Sequence, residues 1–137
     1  MYEIGFDTPL YNAYHVEAVF LYYSKKGLIQ LNELPYTIKD LQKMCANNRI
    51  LWKDHAQQRL LQRNILRSEV KQCILSGEII EKYIDDKPFP SCLILGYTKN
   101  SRPLHIVCSF DNNSMHIITV YEPDKIKFND DLKTRRI

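Results

Sequence analysis

The feature that most constrains this chain is a change of period at Gly77. Upstream of it, apolar residues recur every three or four positions; downstream they alternate. The first spacing gives a helix one buried stripe and the second gives a strand one buried face, so secondary structure must change there. Four strands are predicted after Gly77, over residues 78–84, 92–97, 104–110 and 115–121. The tracts between them, 85–90, 99–102 and 111–114, are rich in Asp, Asn, Pro and Ser, the residues that form turns. Links this short permit hairpins and not crossovers. The expected fold class is therefore α+β: N-terminal helices packed on one face of a four-stranded antiparallel meander.

The helical half divides at identifiable signals. Residues 10–24 carry Tyr11, Tyr14, Ala18, Leu21 and Tyr22 near helical spacing, and Gly27 ends that run. Leu34-Pro35-Tyr36 breaks the chain, and Thr37 with Asp40 forms a capping-box variant that opens a helix to about Asn48. The next helix is predicted from about Lys53 to Arg63, with Trp52, Ala56 and Leu60 as its buried stripe and Asn64 as a left-handed stop. A last helix begins near Ser68, though Leu66 stands where a polar cap is expected. Its inner face is Val70, Cys73 and Ile74.

In the strands, a tight turn at Asn112-Asn113 puts Leu104, Ile106, Cys108, Phe110, Met115, Ile117, Thr119 and Tyr121 on one face, taken as the core. His105, Val107, Ser109, His116, Ile118 and Val120 share the other. On this register His105 and Tyr121 reach one site only if a bulge shifts the phase. Pro123 closes the last strand, and residues 125–137 are expected to be a polar, basic tail that frays.

Composition bounds the class. A chain of 137 residues with 45% hydrophobic and 26% charged residues fits one globular domain. Its apolar run at 18–23 is too short to span a bilayer and lacks the flanks of a signal peptide, so a cytoplasmic location is expected. Cys45, Cys73, Cys92 and Cys108 form no close pair; they are expected as buried thiols, with no metal and no cofactor.

Charge is uneven. Arg49, Lys53, Arg59, Arg63, Arg67 and Lys71 face only Asp54 and Glu69 across residues 49–71, which suits a polyanion partner or a solvated helical face. His55, Arg59 and Arg63 recur at i, i+4, i+8 beside the apolar stripe and are expected to be half-buried. Such a row suits phosphate binding and proton transfer. The chain has no glycine-rich phosphate loop, nucleophile elbow or zinc-protease motif.

Five segments taken together resemble a known family. They are Trp52-Lys-Asp-His-Ala-Gln-Gln-Arg-Leu-Leu-Gln-Arg-Asn-Ile65, Val70-Lys-Gln-Cys-Ile-Leu-Ser-Gly-Glu-Ile-Ile80, Pro88-Phe-Pro-Ser-Cys-Leu-Ile-Leu-Gly96, Arg102-Pro-Leu-His-Ile-Val107 and Ile118-Thr-Val-Tyr-Glu-Pro-Asp124. In order and spacing this set is similar to domain-of-unknown-function family 4258. Asn64 stands where that pattern usually has glycine. The resemblance implies a RelE/barnase-like fold, a type II toxin–antitoxin system, and a cognate antitoxin partner that is often a zinc-finger protein. It divides the chain into a helical extension over 1–36, a toxin-like α+β domain over 37–124 and the tail. The extension would be an extra helix, a dimerisation arm or a poorly ordered segment.

Two functions then compete. As a metal-independent endoribonuclease, the protein needs a base, an acid and positive charge on the phosphate. His55 serves as base or acid, Arg59 and Arg63 as the charge, and His105 or Tyr121 as the second proton-transfer group. As a non-catalytic binding module, it uses Arg49, Lys53, Arg59 and Arg63 to grip nucleic acid or a partner protein. A structural domain, with His55 and Arg59 tying helix to sheet, is the third reading.

Overall fold

The computed structural model describes residues 33–137; the helix expected over 10–24 lies outside them. Three helices come first: α1 (Ile38–Ala46), α2 (Asp54–Arg63) and α3 (Arg67–Ser76). Five strands make one sheet: β1 (Ile50–Trp52), β2 (Glu78–Tyr83), β3 (Ser91–Tyr97), β4 (Pro103–Phe110) and β5 (Met115–Tyr121).

Strands β2 to β5 form the expected antiparallel meander. The sheet is nonetheless five-stranded and mixed, in the order β1-β5-β4-β3-β2. This corrects the expectation of four antiparallel strands. The added strand, β1, lies parallel to β5, with Ile50, Leu51 and Trp52 opposite Met115, His116 and Ile117. Three residues are too few to show a period, and the i, i+4 spacing of Trp52 with Ala56 makes it look like part of the next helix. The parallel pairing is possible because α2, α3 and strands β2 to β4 intervene.

All three helices lie on one sheet face. The Thr37 hydroxyl and the Asp40 carboxylate cap α1 reciprocally. Asn64 stops α2 at φ 57°, as expected of a residue that tolerates the left-handed region. At α3, Glu69 accepts from the Leu66 amide at 2.9 Å, replacing the missing polar cap. Leu41, Ala56, Leu60, Val70, Cys73 and Ile74 meet Ile94, Leu104, Ile106, Cys108, Met115, Ile117 and Val120 in one core. Phe110 packs at its margin, partly buried.

Val120 belongs to that core although the uninterrupted alternation of β5 places it outside. The cause is a bulge. Cys108 pairs with Ile117 and Val107 with Thr119, which leaves Ile118 without a partner. The extra residue shifts the phase by one, turning Val120 inward and bringing Tyr121 opposite His105.

A third layer covers part of the other sheet face. Residues 124–137, expected to fray, fold into a small clip. Its main-chain hydrogen bonds close on itself, from Phe128 to Asp124, Asn129 to Thr134 and Arg136 to Lys127. Phe128 and Leu132 are buried against the sheet. Four apolar side chains without a helical or strand period, of which only Phe128 and Leu132 are buried, give little hydrophobic signal, which is why the clip escapes a reading by composition.

Candidate functional site

The expected site residues fall into two groups. Along α2, the Arg59 Nε–H donates to His55 Nε2 at 3.3 Å and Arg59 Nη1 donates to Gln62 at 2.8 Å. The i, i+4 contact is as expected, but His55 is exposed rather than half-buried; Arg59 and Arg63 are partly buried. His55 precedes the stripe residue Ala56 by one position, a rotation of about 100° on the helix, which carries it out to solvent. Arg49 and Lys53 are exposed at the ends of β1, and the Arg67 guanidinium stacks 4.9 Å from the Trp52 ring centre.

Arg63 leaves this row for the sheet. Strand β1 covers β5 only as far as Ile117, so the edge beyond is open. Arg63 Nη1 donates to the Val120 carbonyl there at 2.7 Å and to the Thr119 hydroxyl at 3.4 Å. Its charge is felt by Tyr121. Arg63 thereby links the helical row to the face that holds His105.

On that outer face the rings of His105 and Tyr121 meet edge to face, with centroids 5.5 Å apart. Three residues absent from the sequence-based set join them. Tyr83 donates its hydroxyl to Glu81 at 2.6 Å, and the Arg135 guanidinium grips both Glu81 oxygens at 2.7 and 3.0 Å. The signal for Glu81 and Tyr83 was their period-two spacing on β2, which puts both on one face. Nothing local pointed to Arg135, which arrives from the clip.

His105 is fully buried. Phe128 packs on its ring at 4.7 Å between centroids, and its Nε2 lies 2.8 Å from the Leu132 carbonyl oxygen. A carbonyl only accepts, so Nε2 carries the proton and Nδ1 is the bare nitrogen. Nδ1 is the one buried side-chain polar atom among the described residues without a hydrogen-bond partner. Burial holds the imidazole below its ordinary pKa, with the Leu132 carbonyl and Glu81 opposing. Burial likewise pushes the Tyr121 phenol up, against the pull of Arg135. For Glu81 burial alone would raise the carboxyl, but hydrogen bonds from Arg135 and Tyr83 outweigh it and hold it below the usual range. At neutral pH the face thus presents a neutral imidazole, a protonated phenol, a carboxylate and two guanidinium groups.

Residues 52–122 match the family described as Domain of unknown function (DUF4258). The chain belongs to that family. The DUF4258 region takes in α2, α3 and β2 to β5, and with them every candidate residue except Arg49 and the clip's Arg135. No curated protein and no solved structure matches the chain. No helix among the described residues is long and apolar enough to cross a membrane.

Proposed function

We propose that this DUF4258 protein is a metal-independent endoribonuclease of the toxin type, acting on single-stranded RNA at the outer sheet face. The observation that carries the reading is the bulge at Ile118, which sets Tyr121 against His105. The pair stands in the protonation states that cleavage requires of a base and an acid. His105 takes the 2′-hydroxyl proton, and the 2′ oxygen attacks phosphorus. The bond to the 5′ oxygen breaks, and Tyr121 supplies the proton to that leaving group. The products are a 2′,3′-cyclic phosphate and a 5′-hydroxyl end. Arg63 and Arg135 supply charge for the pentacoordinate phosphate. The exposed row of Arg49, Lys53 and Arg59 extends the grip along the strand, or receives an acidic segment of the antitoxin that the family resemblance implies.

One observation favours the binding module. His55 accepts at Nε2 from Arg59, so only its Nδ1–H is left for proton transfer, and the helical row offers cations without the second proton-transfer group that cleavage needs. The test uses the full chain, excess chelator and end-labelled single-stranded RNA. Cleavage to a cyclic phosphate is expected, with His105→Ala and Tyr121→Phe each lowering the rate by about 10²–10⁴ while circular dichroism is unchanged. Wild-type rates in both variants would place the chemistry elsewhere. Binding without cleavage, lost on Arg59→Ala, would leave the binding module.

A further inference from the structure

The clip over residues 124–137 is fixed to the sheet in an unusual way. Its main-chain bonds are internal, so side chains and one carbonyl hold it down. Phe128 and Leu132 supply the apolar contact. Lys133 pairs with Glu78 at 2.9 Å and Arg135 with Glu81 at 2.7 Å. All four charged groups are on β2 or the clip, and three of them are about half exposed. Leu132 itself sits at φ 63°, a left-handed conformation that leucine adopts at a cost. The clip buries His105 completely, leaving its Nδ1 facing no partner. These features describe a cover that is ionically latched, locally strained and seated on a polar group.

We propose that the clip is an RNA-displaceable arm: phosphates of single-stranded RNA take Lys133 and Arg135 from Glu78 and Glu81, and Leu132 lifts from His105. This regulatory step rests on the nuclease reading for its purpose, but not for its physics. The latch is a contest between two kinds of anion for the same cations. Lys125, Lys127 and Arg136 add charge to the same arm, against Asp124, Asp130 and Asp131, so the released arm is a net cation that can follow the backbone. Once Arg135 leaves, Glu81 keeps the Tyr83 hydroxyl but loses the two guanidinium hydrogen bonds and the charge that neutralises it, and the uncovered face becomes reachable to a ribose.

The test separates arm movement from catalysis. The full chain is labelled with fluorophenylalanine, and the Phe128 resonance is assigned by Phe128→Leu. It is then titrated with a 2′-O-methyl oligoribonucleotide, which binds as single-stranded RNA but cannot be cleaved. The Phe128 signal is expected to leave its buried position, and to return as salt screens the phosphates. In Leu132→Ala/Lys133→Ala the arm should open without RNA, so that diethylpyrocarbonate modifies His105 at least about fivefold faster than in the wild type. His55, which is exposed, is the internal standard. A Phe128 signal unmoved at saturating oligonucleotide would overturn the proposal. So would a wild-type His105 that reacts as fast as His55. If the arm opens but neither protein cuts unmodified RNA, the gating stands and the nuclease reading fails.

Discussion

Gly96→Ala tests the helix–sheet packing most directly. Helix α3 crosses β3 at Gly96, where an added Cβ would lie 2.2 Å from the Cys73 carbonyl oxygen and 2.6 Å from the Cys73 Cα. Ordinary contact begins near 3.4 Å, so the helix must retreat by about 1.2 Å, the difference of the two distances. It cannot retreat alone. Val70, Cys73 and Ile74 are fully buried, and Gly77 holds the same carbonyl 2.4 Å from its own Cβ position. A radial gap of about 0.5–1 Å already forfeits a quarter to a half of each dispersion contact. Overpacking costs about 1–3 kcal/mol and sometimes more. The obstacle here is backbone, so a loss of about 3 kcal/mol is expected even after alanine returns about 0.5–1 kcal/mol in backbone preference. Urea denaturation followed by circular dichroism measures it, with the exposed Gln58→Ala as a control expected within about 0.5 kcal/mol. A loss below about 1 kcal/mol would refute the seating of α3 on β3 through this glycine.

Three further outcomes follow from the same geometry. His105, faced by Glu81, Arg135 and Tyr121, has its folded pKa held below the unfolded one, so the unfolded chain binds the proton more readily. Stability should therefore be full above the unfolded value of about 6.5 and fall as pH drops below it. His105→Phe should flatten that slope, as read by urea midpoints across the acid range. Arg102 donates to the carbonyls of Arg63 at 3.1 Å and Asn64 at 2.9 Å and pairs with Glu69 and Glu122. Arg102→Ala should cost about 1.5–3 kcal/mol in the same assay, and Arg102→Lys should not restore it, because one ammonium cannot span those acceptors. Affinity for single-stranded RNA should fall with salt. Alanine at Arg49, Lys53 or Arg59 should each flatten the logarithmic slope by about 0.7 if the side chain contacts a phosphate.

What the sequence makes legible is periodic or punctuated. The meander was readable because Pro, Asn and Asp cluster between alternating runs, and the capping of α1 because Thr37 and Asp40 have one characteristic spacing. What escaped has no such signature. Ile118, Thr119 and Val120 are all β-branched, so nothing in their chemistry marks which one bulges. Yet that choice decides whether Tyr121 joins the core or His105. Within the candidate site, the His55–Arg59 contact was visible as a helical spacing. Glu81 and Arg135 were not, because 54 residues separate them and only the folded clip brings them together.

The parallel pairing of β1 with β5 also bears on how the protein is made. Ile50 and Met115 are partners 65 positions apart. At about 5–20 residues per second, a ribosome delivers the second roughly 3–13 s after the first. During that interval α1, α3 and the early hairpins can form from local contacts, while Ile50, Leu51 and Trp52 have no strand to join. Arg63 waits as well, since its carbonyl acceptor at Val120 emerges later still. The nascent chain therefore carries an apolar edge and an unanchored basic helix until β5 clears the exit tunnel. Chain release or truncation before Tyr121 would leave both exposed, and with them a species prone to bind other chains or nonspecific RNA.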